Sequence, residues 1–126
     1  MPTLTLKEIP MPGDFFAPSN PQQGDPWLVI ERVLQDNTGA AVGSGTVRGT
    51  FMKILPAGDA LIAVNGTDRI TGGSGPHGDI CIQGVFRLSD FAGPVIIAIV
   101  GGTGDFNHAR GSLTLHNGTL TFEWVG

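Results

Sequence analysis

The dominant regularity of this chain is a period of two. Apolar and polar residues alternate over 3–9, and similar runs recur to the C-terminus, each interrupted by glycine, proline or asparagine. Alternation of this kind sends successive side chains to opposite faces of a β-strand, and helix-period stretches are nearly absent. The runs predict strands over 3–9, 27–35, 42–54, 60–70, 79–88, 95–101, 106–115 and 119–125. Asp36-Asn37-Thr38-Gly39, Leu55-Pro56-Ala57-Gly58-Asp59 and His116-Asn117-Gly118 supply turn chemistry, and residues 71–78 (TGGSGPHG) form a flexible loop. Residues 10–24 hold four prolines and two glycines around Phe15-Phe16. Adjacent aromatics do not suit a solvated linker, so this segment is expected to be an ordered arm or lid.

Eight short strands with regular turns predict an all-β barrel or sandwich. Two features favour the barrel. Gly43, Gly45 and Gly49 lie inside a strand, where they permit the bending a small barrel needs. A series of sequential hairpins also closes its own edges, as an open sheet does not. An eight-stranded barrel has an interior that side chains fill or that holds one small ligand.

Several strands are apolar on both faces. Trp27, Val29 and Val33 alternate with Leu28, Ile30 and Leu34, and Val95, Ile97 and Ile99 with Ile96, Ala98 and Val100. Two apolar faces on a barrel strand imply cover outside as well as inside, so a homo-oligomer is expected.

Composition narrows the function classes. The 126 residues make a single domain, with 20 glycines and 9 prolines. Seven basic against eleven acidic residues leave a net charge of −4, which provides no electrostatic footprint for nucleic acid. Cys81 is the one cysteine, so neither an internal disulfide nor a cysteine-rich zinc cluster is available. The N-terminus lacks the apolar core of a signal peptide, and the apolar run 95–100 is too short to span a bilayer. A soluble, cytoplasmic protein is expected.

No Gly-x-Ser-x-Gly elbow, His-Glu-x-x-His or P-loop is present, and His77, His108 and His116 are scattered over turns. The informative residues are charges embedded in apolar strands. Glu31 shares a face with Trp27, Val29 and Val33, while Arg32 shares the other with Leu28, Ile30 and Leu34. Whichever face turns inward, one charge enters a low-dielectric space, where it must be paired or shift its pKa. Arg48 lies among Thr46, Thr50 and Met52, and Asp68 among Ile62, Val64 and Ile70. These charges are either surface and structural ion pairs, or a lumenal carboxylate and guanidinium that orient a carbonyl or stabilise developing charge. Trp27, Phe51, Phe86, Phe106, Phe122 and Trp124 are either core filling or the walls of an apolar pocket. With no tyrosine in the chain, a phenol general acid is excluded.

The segment Val100-Gly101-Gly102-Thr103-Gly104-Asp105-Phe106-Asn107-His108-Ala109-Arg110-Gly111 resembles the GGTG-x-F-x-x-ARG signature of dirigent proteins, of which allene oxide cyclases carry a looser version. Val42-Gly43-Ser44-Gly45-Thr46-Val47-Arg48-Gly49-Thr50-Phe51 is similar to a second strand of that superfamily. The resemblance spans roughly the C-terminal two thirds of the chain. It implies an eight-stranded antiparallel up-and-down barrel with a hydrophobic lumen, dimers or trimers, and no metal or organic cofactor. It also implies the steering of ring closure or coupling in reactive hydrophobic molecules. Bacterial spirotetronate cyclases, with intramolecular [4+2] cycloaddition, belong to similar barrels. The chain departs from plant members in lacking their secretory signal, their tyrosine-rich strands and the Asn-Glu-Arg-Asp stretch of allene oxide cyclases.

The leading expectation is therefore a cofactor-independent cyclase or isomerase for a hydrophobic polyunsaturated molecule, such as a linear polyketide. Glu31, Arg48 and Arg110 are the candidate polar catalytic groups. Trp27, Phe51, Asp68, Phe86, Phe106 and Trp124 are the candidate substrate-binding residues. Arg110 either braces its loop through Asp105 or faces the pocket. A calycin-like carrier needs the same lumen with no catalytic group, and a filled barrel acting only through its surface needs no lumen.

Overall fold

A computed structural model describes residues 2–126. Alternation and turn chemistry produce nine strands: β1 (Thr3–Ile9), β2 (Phe15–Phe16), β3 (Pro26–Gln35), β4 (Ala41–Ile54), β5 (Ala60–Ile70), β6 (Gly78–Arg87), β7 (Val95–Gly102), β8 (Arg110–His116) and β9 (Thr119–Val125). From β3 to β9 each strand pairs antiparallel with the next. β1 then pairs with β9 on one side and β3 on the other, the latter through Lys7↔Gln35, Glu8↔Leu34 and Ile9↔Val33. The result is a closed eight-stranded antiparallel barrel without a free edge. The ninth strand, β2, lies within the 10–24 arm and pairs Phe15 with Val29 and Phe16 with Leu28.

One set of alternate residues fills the interior. Leu6, Ile62, Ile80, Val95, Leu113, Leu120 and Phe122 are all buried inward members of their strands. Opposite them stand residues left in solvent, including Val85 and Ile96, 63% and 68% exposed. Among the described residues no helix is long and apolar enough to cross a membrane; the helical pieces are three short 3₁₀ turns.

Two departures from simple alternation shape the lumen. Val29 pairs with Val47, but Arg32 pairs with Gly45, so β3 carries one more residue than β4 over this stretch. That β-bulge moves the inward frame from Trp27 and Val29 to Arg32 and Leu34, and leaves Ile30 and Glu31 both outside. The second departure lies at 103–109, of which 106–109 is predicted as the start of a strand. Gly104–Phe106 is a 3₁₀ turn and His108 has φ of 64°, so β8 begins only at Arg110. The turn packs directly on the start of β6: a Cβ on Gly102 would lie 2.5 Å from the Asp79 carbonyl oxygen. Glycine is required there by the close approach of the backbones.

Candidate functional site: an acid-floored lumen

Antiparallel order gathers the start of β3, the end of β6, the start of β7 and the end of β8 at one end of the barrel. There the interior opens into a cavity of about 320 Å³. Small-molecule pockets span roughly 300–1,000 Å³, so this one suits a compact ligand. Its walls are mainly aliphatic, with Val29, Val47, Val64, Ile82, Ile97 and Leu113 among them. Its mouth is aromatic. Trp27 meets Phe15 edge-on at 5.4 Å and Phe86 at 5.6 Å, and stacks with Phe91 at 6.5 Å; Phe86 and Phe91 are 5.1 Å apart. Phe15 is brought by the arm and Phe91 by the 3₁₀ turn Leu88–Ala92. Both are nearly half exposed and stand beside the opening.

Three charged residues line the cavity: Glu8 from β1, Arg32 from β3 and Asp68 from β5. The Arg32 guanidinium is held on two sides. Nη1 donates to Glu8 Oε1, and Nε donates to Asp14 Oδ2 at 3.1 Å. Asp14 is itself buried and anchors the arm, because its carbonyl accepts the Ile30 amide at 2.6 Å and its carboxylate accepts the Met11 amide at 2.6 Å. The bulge that turns Arg32 inward thus also fixes the arm over the mouth.

Asp68 has a different environment. It is 4% exposed and lies opposite Gly45, where an added Cβ would come within 2.3 Å of Asp68 Oδ1. Glycine at 45 is what makes room for the carboxyl. Among the described residues Asp68 has neither a hydrogen-bond nor an ion-pair partner. No fully enclosed polar side-chain atom in that set lacks a partner, so the Asp68 oxygens must open onto the cavity they line. Burial, followed by the nearby Glu8 charge, pushes its pKa up to about 7. Desolvation and a neighbouring like charge both disfavour the carboxylate. At neutral pH this group can therefore give or take a proton.

The predicted site residues divide by position. Trp27, Phe86 and Asp68 meet at the cavity. Phe51 is buried in the wall packing, and Phe106 and Trp124 form an edge-on pair at 5.2 Å away from the cavity lining. Glu31, Arg48 and Arg110 all stand on the exposed outer surface. Arg48 pairs in register with Leu28 and Asn65, and Arg110 Nη1 donates to the Ala109 carbonyl at 2.7 Å. The Asp105 carboxylate meanwhile accepts the His77 amide at 2.8 Å. The lumenal polar groups not chosen from sequence are Glu8 and Arg32, with Asp14 holding Arg32 from outside the lining. Arg32 was visible as the mirror choice to Glu31, but Glu8 and Asp14 carry no local signal.

Fold and site together define a small closed barrel with an aromatic collar above an acidic floor. No protein-family model matches the chain, and no curated protein matches it. Among solved structures it is similar to one named pyocyanin demethylase, with a TM-score of 0.75 and 21% identity. The likeness covers 98% of this chain and 99% of that one, so the whole barrel is shared. At that identity the comparison speaks to fold alone.

Proposed function

We propose that this protein is a small-molecule-processing barrel: a cofactor-independent isomerase or cyclase that moves a proton at Asp68 within an apolar cavity. The observation that carries this reading is the buried, unpartnered Asp68 carboxyl with its pKa near 7. A group poised near the working pH is suited to both halves of a proton shuttle. As a carboxylate, Asp68 takes a proton from an acidified carbon, whose electron pair spreads into the conjugated system. As the acid, after its proton has exchanged with solvent, it delivers a proton at another carbon. The product is an isomer, and no oxidant or reductant is consumed. In a ring closure the protonated acid instead donates a hydrogen bond to a carbonyl and polarises the reacting alkene. The collar excludes water and holds the substrate in a reactive conformer.

Two further points support the reading. The GGTG-x-F-x-x-ARG segment resembles that of barrels that steer ring closure. A protein of the same architecture carries the name of an enzyme acting on a small molecule, pyocyanin. The cavity volume favours a compact conjugated substrate over a long linear polyketide.

The test is mass-neutral turnover followed by liquid chromatography and mass spectrometry in H₂O and in D₂O. The panel is a β,γ-unsaturated cyclic ketone, a short triene carrying a dienophile, and a fatty-acid allene oxide. The expected result is an isomer of unchanged mass in H₂O, with deuterium gained in D₂O for the ketone. Asp68→Asn is expected to slow it by about 10²–10⁴-fold. Equal turnover by Asp68→Asn overturns the proton-transfer role. Compounds retained by the protein but returned unchanged favour a carrier.

A further inference from the structure

We propose that the lumen selects an organic cation bearing N–H donors, such as an amidinium, iminium or protonated amine, over neutral and anionic molecules of the same shape. This rests on the small-molecule reading above and specifies its ligand class. The argument begins with the charges at the cavity wall. Glu8 and Asp68 contribute two carboxyl groups to the lining, Arg32 is the cation of that lining, and Asp14 outside the lining holds the other side of Arg32. The Arg32 guanidinium is already shared between Glu8 and Asp14, and among the described residues it makes no hydrogen bond or ion pair to Asp68. Asp68 is left as a buried acceptor, with Glu8 and Arg32 as the other charged residues of the cavity lining. An apolar cavity with surplus acceptors and a surplus of negative charge is completed by a ligand that supplies the missing donors and positive charge.

The mouth points the same way independently. Trp27, Phe15, Phe86 and Phe91 surround the entrance with their rings 5.1–6.5 Å apart. Aromatic faces attract a desolvated cation, and clusters of this kind are a recurrent cation-recognition device. A metal ion fits less well, since among the described residues no three His, Cys, Asp or Glu side chains converge to hold one. In this arrangement the apolar body of a planar organic cation lies against Trp27 and its N–H groups meet Asp68, both of which line the one cavity.

The charged groups facing Asp68 are few. Glu8 comes from β1 and Arg32 from β3, while the lining residues of β4, β6, β7, β8 and β9 are uncharged. Binding a cation therefore draws the proton from Asp68, and affinity should rise as pH rises through 7.

The experiment compares 2-naphthamidinium, 2-naphthamide and 2-naphthoate, which share one shape and differ in charge. Trp124→Phe leaves Trp27, at the cavity mouth, as the sole indole reporter, and binding is read by its fluorescence and by calorimetry of the unaltered protein. The naphthamidinium ion is expected to bind at least about tenfold more tightly than the amide, with naphthoate weakest. That preference should shrink below pH 6 and vanish in Asp68→Asn. Equal affinity for amide and amidinium, or preference for naphthoate, overturns the charge assignment and leaves the small-molecule reading standing. A preference that survives in Asp68→Asn overturns the role of Asp68. No binding of any of the three overturns this proposal together with the reading beneath it.

Discussion

The two ends of the barrel are built from the same kinds of residue and do opposite things. At one end Phe106 is 1% exposed and packs edge-on against Trp124. The GGTG turn folds in and ties itself to the start of β6, where the Asp105 amide donates to the His77 carbonyl at 2.9 Å. At the other end Trp27 and Phe86 also pack edge-on, yet Phe15 and Phe91 are 47% and 44% exposed and an opening lies beneath them. Aromatic content does not separate a plug from a gate. The connections do: at one rim a glycine turn is drawn tightly onto the strand ends and covers Phe106, beside a more polar recess bordered by Val42, Ile70 and residues 72–76, whereas a longer arm and a 3₁₀ turn stand around the other.

That contrast can be broken in three ways. The largest expected effect is on stability at the plugged end. Phe106→Ala should cost about 3–5 kcal/mol, whereas Phe91→Ala at the gate should cost under about 1 kcal/mol, as its ring is already half in solvent. Urea denaturation measures both, and equal losses would mean that the open end is packed core. Next is the pH dependence carried by Asp68. Its folded pKa of about 7 lies above the 3.8 of the free side chain, so the folded state binds the extra proton between those values. Stability is then fully present below pH 4 and declines as pH rises through 7, by about 4 kcal/mol at most. Asp68→Asn should flatten this part of the curve; an unchanged curve would place the titration elsewhere. The smallest effect is expected on the outer surface. Glu31→Gln, Arg48→Met and Arg110→Met should each change stability by less than about 0.5 kcal/mol and leave binding at the lumen unchanged. A large loss of lumenal binding in any of them would tie the outer face to the site.

The strands illustrate what alternation does and does not encode. In β7, Ile96 and Val100 are indeed outward apolar residues, 68% and 40% exposed, alternating with buried Val95, Ile97 and Ile99. In β3 a similar pattern has another cause. Val29 and Leu34 lie in different alternation frames, yet both are buried, because the bulge between them shifts the frame. Apolar residues in both frames of one strand can thus mark an outer surface or a bulge. The same shift decides which of two adjacent charges enters the lumen, and it chooses Arg32 over Glu31. Asp68 was legible because β5 is regular: in unbroken register with β6 from Leu61 to Ile70, it keeps Asp68 on the face of Ile62, Val64 and Ile70.

By itself the sequence determined the all-β class and the number of barrel strands, and it singled out three residues that line the candidate cavity, Trp27, Phe86 and Asp68. These follow from local rules: period-two burial, turn residues, and the cost of an acid on an apolar face. The tertiary structure alone decided that β1 closes against β3, that Glu8 and Asp14 converge on Arg32, and that the GGTG turn folds onto one rim while an aromatic collar stands around the other. Those outcomes join residues from Glu8 to Asp68 through pairing register and a single extra residue in β3. A one-residue shift exchanges the two faces of a strand at little local cost, so its position is set by the pairing of whole strands rather than by the residues beside it.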